Sequence, residues 1–160
     1  KTMNFLTEHG ISSYGELEGK LSAVSARRDT AHAEIKRIES RSAELVLVMK
    51  HAGTYRQLKP LYDRYRKSND KEKFLRGHES EIILFEAAAR ELKRMGAVPL
   101  PTTESMKTEL ANLNAEKERL LAEYKAARTE AQEYDTVKQN VDALLAVPKE
   151  QEQQRRHELE

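Results

Sequence analysis

The chain has 160 residues, with 28 Lys and Arg against 27 Asp and Glu, a net charge of +1, 38% hydrophobic residues, 34% charged residues and no cysteine. An apolar fraction below the roughly 45–50% of ordinary globular domains argues for long exposed helices rather than a deep core. The missing cysteines exclude disulfides and thiolate metal sites. No run of about 18 apolar residues is present, so no membrane span is expected. No secretory signal is visible, and a cytoplasmic setting is expected.

Lys1 to His9 reads as the end of a helix with Met3 and Leu6 on one face, and the chain is expected to be a piece of a longer protein. Gly10 supplies the left-handed residue that stops this helix. Ser13 and Glu16 form a capping-box pattern, with Ile11 placed to staple onto Leu17. From Leu17 the seam runs Leu21, Val24, Arg28, Ala31, Ile35, Ile38, Ser42, Leu45, Met49, broken only by Arg28 and Ser42. Its steps alternate four and three, the spacing of a coiled coil.

Gly53 and Pro60 change the pattern. Pro60 lacks an amide hydrogen, so a kink or a new helix is expected there. Leu58, Leu61, Tyr62 and Tyr65 keep an apolar face, and Ser68-Asn69-Asp70 is a turn. Lys71 to Gly77 is a short helix or turn, Glu79 to Met95 a clear helix, and Gly96 its stop. Val98-Pro99-Leu100-Pro101 is extended, because a residue before proline avoids the helical region.

Thr102 or Thr103 caps the last long helix. Its seam runs Met106, Leu110, Leu113, Lys117, Leu120, Tyr124, Ala127, Ala131, Tyr134, then Val137, Val141 and Leu144 after one short step. Pro148 is expected to close it. A stripe this narrow needs a partner, and two such stripes can bury each other. Each arm is roughly 50–60 Å long at the rise of an α-helix.

The expected fold is therefore all-α: a long antiparallel coiled-coil helical hairpin with a small helical insert at the tip. Residues 1–12 are the end of a preceding helix and a linker, 13–51 the first arm, 52–101 the insert, 102–147 the second arm and 148–160 a polar tail. Arg28, Ser42 and Lys117 are polar seam positions of the kind that fix register.

Chemistry is sparse. The five histidines are scattered, with no His-Glu-x-x-His, and neither a P-loop nor a Gly-x-Ser-x-Gly elbow occurs. The carboxylates alternate with Lys and Arg as on a solvated helix face. No catalytic residue, metal site or cofactor is expected in this piece.

Charge is the uneven feature. Between Lys50 and His78 stand nine basic residues and three acidic ones, a local charge of +6 that leaves −5 elsewhere. The candidate DNA-binding residues are Arg56, Lys59, Arg64, Arg66, Lys67, Lys71, Lys73 and Arg76. Tyr55, Tyr62 and Tyr65 are interleaved with them. Two readings stand open. The cations neutralise phosphates while the tyrosines stack on bases of single strands, or the tyrosines pack in the insert and the cations only solubilise it.

The wording of the chain adds to this. Thr2-Met3-Asn4-Phe5-Leu6-Thr7-Glu8-His9-Gly10-Ile11 with Ser13-Tyr14-Gly15-Glu16-Leu17 resembles the segment that follows the nuclease domain in relaxases. These are the mobilisation proteins of conjugative and integrative elements of Gram-positive gut bacteria. Tyr62-Asp63-Arg64-Tyr65-Arg66-Lys67-Ser68, then Phe74, His78 and Glu81-Ile82, is similar to the same region. So are Leu100-Pro101-Thr102 and Val137-Lys138-Gln139-Asn140-Val141-Asp142. The resemblance spans about residues 2–146.

It implies the non-catalytic C-terminal helical region of a DNA-nicking relaxase. The family's catalytic tyrosine and histidine cluster lie upstream, and nothing here matches them. The partners implied are DNA (single strands included), an accessory or coupling protein of the transfer machinery, or a second copy of the chain. A different class of function fits the same residues: a coiled-coil interaction or dimerisation scaffold that touches no DNA.

Overall fold

The computed structural model describes residues 1–159, side chains at 147–152 excepted. Those residues are all-α, with four helices: α1 (Thr2–Glu8), α2 (Tyr14–Lys67), α3 (Lys71–Arg94) and α4 (Thr103–Glu158). None of them is long and apolar enough to cross a membrane. The chain divides into two compact units. Unit 1 is Lys1–Ile35 with Glu118–Glu160, and unit 2 is Lys36–Lys117.

In unit 1, α1 ends on Gly10 at φ 64°. The Gly10 amide donates to the Thr7 carbonyl and the Ile11 amide to that of Leu6, so the last carbonyls of α1 are satisfied within the turn. At the start of α2, the Glu16 amide donates to Ser13 Oγ at 3.1 Å. The Glu16 carboxylate accepts from the Ser12 amide at 2.8 Å and from its hydroxyl, one residue earlier than the capping box predicts.

Leu17, Val24, Ala131, Tyr134 and Val137 form the core of this unit, with Phe5, Leu6, Ile11, Leu21 and Val141 packed on it. The Phe5 ring meets Tyr134 edge-on at 5.1 Å, which lays α1 against α4. The α2 and α4 segments run antiparallel. Tyr14 donates to Asp142 at 2.6 Å, and Arg27 pairs with Glu130 at 3.6 Å. The expected seam holds through Val141, but Leu144 is 63% exposed. There α4 has outrun the start of α2 at Tyr14, so no α2 residue is left to cover it. Pro148 does not close α4, which runs on to Glu158. The expected polar tail falls partly on side chains outside the described residues.

In unit 2, Ile38, Leu45, Val48 and Ala52 of α2 are buried with Met106 and Leu113 of α4 and with Ile82, Phe85, Ala88 and Leu92 of α3. Val48 takes the place expected of Met49, because a second three-residue step follows Leu45 and shifts the stripe toward α3. Arg41 holds Glu109 at 2.7 Å, and Lys117 reaches Glu39 at 3.5 Å, again antiparallel. Of the polar seam positions, Lys117 is thus ion-paired and Arg28, in unit 1, pairs with Asp29. The Ser42 hydroxyl is buried with no partner.

No new helix begins near Pro60: α2 passes through it to Lys67. Pro60 is exposed, so the amide it lacks would have served the solvent side, while the opposite side of α2 is held by packing on α3. The two short elements expected after the turn are joined as α3, which is interrupted only at His78 (φ −137°, ψ 25°). Gly96, at φ 70°, ends α3 as Gly10 ends α1. Thr102 caps α4 through Ser105.

Ser42→Ala removes a buried hydroxyl that has lost its water and gained nothing, and should raise stability by up to about 1 kcal/mol. Ile38→Ala, in a fully buried site, should cost about 2–5 kcal/mol. Denaturant melts of the two variants check the pair.

Two carboxyls make the stability of unit 1 depend on pH. The Ser12 backbone amide holds the Glu16 carboxyl below its ordinary range. The Tyr14 hydroxyl, aided by Lys138, does the same for Asp142. A depressed folded-state value stabilises the fold above the unfolded carboxylate pKa of about 4, and this is lost as pH falls through the lower folded values. Thermal midpoints of the native chain and of a Glu16→Gln, Asp142→Asn variant should therefore differ at pH 6 and converge toward pH 3.

Candidate nucleic-acid interface

The eight cations predicted from sequence all lie in unit 2, on the last turns of α2 and the first turns of α3, either side of the turn 68–70. Ser68 Oγ donates to the Asp70 carbonyl, and the Asp70 carboxylate accepts from the Lys73 amide at 3.1 Å, capping α3. A short polar turn thus brings two helices back alongside each other.

An aromatic ladder joins them. Tyr62 stacks on Phe85 at 4.3 Å between centroids, and Tyr55 stacks on the same ring at 4.8 Å. Tyr65 follows, 5.8 Å from Tyr62 and 6.0 Å from Phe74, and Phe74 lies 4.6 Å from the His78 ring. Such contacts contribute about 0.5–1.5 kcal/mol each beyond the area they bury. Of the two readings of the interleaved tyrosines, the packing one describes these rings.

Neighbouring groups also sort the cations. Arg56 donates to Thr103 Oγ1 at 2.8 Å and to the Pro101 carbonyl, tying α2 to the start of α4. Lys59 pairs with Asp63 at 3.2 Å, one helical turn on. The Arg64 guanidinium lies 5.8 Å from the Phe74 ring centre. Arg56, Lys59 and Arg64 therefore have structural work within the unit. Arg66, Lys67, Lys71, Lys73 and Arg76 are exposed, and among the described residues their side chains have no partner. These five fall within eleven residues that hold only two acids, Asp70 and Glu72, a local charge of +3.

Helix electrostatics divide the five again. Arg66 and Lys67 stand in the last turn of α2, where cations offset the negative end of the helix dipole. Lys71 and Lys73 stand in the first turn of α3, at the positive end, where cations are disfavoured. Local folding gives no reason for them. Sequence reasoning missed this division, because it depends on where α2 ends and α3 begins. The one signal that foreshadowed it was the Asp70 cap position, which fixes where α3 begins.

Among the described residues no group of three or more His, Asp or Glu side chains is placed to hold a metal ion. His78 meets one carboxylate, that of Glu81 at 3.2 Å, and packs on the Phe74 ring. Comparison with known proteins finds no match for this chain, neither a family model, nor a curated protein, nor a solved structure.

The ladder generates its own test. Phe85→Ala removes the ring shared by Tyr55 and Tyr62 and should destabilise unit 2 by about 3–5 kcal/mol. In hydrogen exchange, amides of residues 55–67 and 79–92 should lose protection while those of residues 17–31 keep theirs.

Proposed function

We propose that this chain is the non-catalytic helical region of a relaxase, and that it holds DNA during mobilisation through the cations around the α2–α3 turn. The observation that carries the reading is the group of five partner-free cations, two of them placed against the α3 dipole. Lys71 and Lys73 gain nothing from the helix end they occupy, which Asp70 and Glu72 already satisfy, so a ligand anion is the partner this reading gives them. The resemblance of residues 2–146 to the region behind a relaxase nuclease domain supports the choice of DNA as the anion. Strand cleavage, on this reading, belongs to another part of the parent protein.

The reading includes a finer architecture. We take α2 and α4 to pair along their length as an antiparallel coiled-coil hairpin, with residues 52–101 as an insert at its tip. The antiparallel pairing within each unit and the four-three spacing of both seams support this.

A scaffold role is the second reading. It is favoured by apolar side chains left open on helix faces: Val46 and Leu47 on α2, and Ile83 and Leu84 on α3, each 47–56% exposed. A coupling or accessory protein, or a second copy, is the partner it implies.

Fluorescence anisotropy of labelled oligonucleotides separates the two. If all five cations engage phosphates, affinity should fall by up to ~500-fold between 50 and 200 mM salt, from a slope of about −0.9 per phosphate. Changing Arg66, Lys67, Lys71, Lys73 and Arg76 to Gln should abolish binding and leave the helical spectrum intact. No binding by the native chain at 50 mM salt would sink the DNA reading and leave the scaffold.

A further inference from the structure

We infer that the α2–α3 turn takes the phosphate backbone of duplex DNA and not an unpaired strand, an inference that rests on the DNA-holding reading above. Two observations carry it.

The first is the state of the aromatic rings. Proteins that bind single strands without sequence preference combine a cationic groove with aromatic faces on which successive bases stack. This chain has six Tyr, three Phe and no Trp, and every one of those nine rings is buried or half-buried. The three nearest the cations, Tyr55, Tyr62 and Tyr65, are all engaged in the ladder with Phe85 and Phe74. No exposed ring beside the turn offers a face to a base. An unpaired strand would bring its bases to a surface that cannot stack them, whereas a duplex keeps them stacked on each other.

The second is the placement of the cations. Tyr55 and Tyr62 direct one side of α2 at α3, and Lys67, five residues beyond Tyr62, falls on the other side at 100° per residue. Phe74 directs one side of the first turns of α3 at Tyr65 of α2, and Arg76 falls on the opposite side with Lys73 about a quarter turn round. Lys67 on α2 and Arg76 on α3 therefore stand on outer sides of the α2–α3 pair, whereas Arg66, four residues beyond Tyr62, and Lys71, three before Phe74, fall toward its inner sides; Ser68, Asn69 and Asp70 form the turn between them. A single strand tracks one groove and uses cations on one surface. A duplex presents two rows of phosphate, and cations on different sides of the helix pair can each meet one of them. The charge density of a duplex, one phosphate per about 1.7 Å of axis, also gives the larger counterion release for the same cations.

The test uses the intact chain with a labelled 20-base-pair duplex and, separately, each of its two strands, at 50 and 200 mM salt. The duplex should bind at least tenfold tighter than either strand. Its salt slope should fall by about 0.9 for each of Lys67, Lys73 and Arg76 changed to Gln, whichever side the residue occupies. Strands bound as tightly as the duplex would overturn the inference while leaving the DNA-holding reading standing. A slope that responds to residues of one side only would also overturn it, since one row of phosphate would then suffice. No binding of duplex or strand would overturn both.

Discussion

Neither long helix can bury its own apolar stripe, and everything else in the molecule follows from that. Leu17, Val24, Ala31, Ile35, Ile38 and Leu45 on α2, and Met106, Leu113, Leu120, Ala127 and Tyr134 on α4, are almost wholly removed from water. They lie on helices whose remaining positions are mostly charged or small. Burying each such side chain contributes about 1.5–3 kcal/mol. With so few large apolar groups to spare, stability rests on keeping the two stripes in register within each unit. Cross-helix contacts such as Arg27–Glu130, Arg41–Glu109 and Tyr14–Asp142 flank the stripes. As surface contacts they select the register more than they add to its stability.

The stripe also explains where the helices acquire third partners. In unit 1, α1 brings Phe5 and Leu6 onto the core where α2 begins, so that Tyr134 and Val137 are covered. In unit 2, the slip from Leu45 to Val48 turns the α2 stripe toward α3, whose Ile82, Phe85, Ala88 and Leu92 complete the core. Where no third partner comes, as at Leu144, an apolar residue stays exposed. Two left-handed glycines, Gly10 and Gly96, make the sharp exits that allow α1 and α3 to fold back.

Function, on the reading proposed, uses what packing leaves over. The ladder from Tyr55 to His78 takes the rings, and Arg56, Lys59 and Arg64 are taken by the Pro101–Thr103 segment, Asp63 and Phe74. The remaining five cations gather around one turn. Together these contacts convert a diffuse basic segment into a compact cationic surface with Asp70 and Glu72 as the acids within it.

The sequence by itself determined that the described chain is helical, where most seam residues lie, that Gly10 and Gly96 stop α1 and α3, that Ser13 caps α2, and that Thr102 or Thr103 caps α4. Those features depend on short-range patterns: four-three spacing, glycine after the last turn, a hydroxyl or carboxylate before the first. It also located the charge asymmetry, since charge can be counted without coordinates. Only the tertiary structure decided that α2 continues through Pro60, because an exposed proline is tolerated where packing against α3 holds the other side of the helix. Only the tertiary structure showed Val48 in place of Met49, Leu144 uncovered, and Glu16 reaching back to Ser12. The same holds for the candidate site. Eight basic residues were equivalent as letters, and they became three engaged and five free once Pro101 and Thr103 were brought to Arg56, Phe74 to Arg64, and Asp63 was set one turn from Lys59. A side chain's availability depends on what the fold has already placed next to it, and no spacing rule along one segment carries that information.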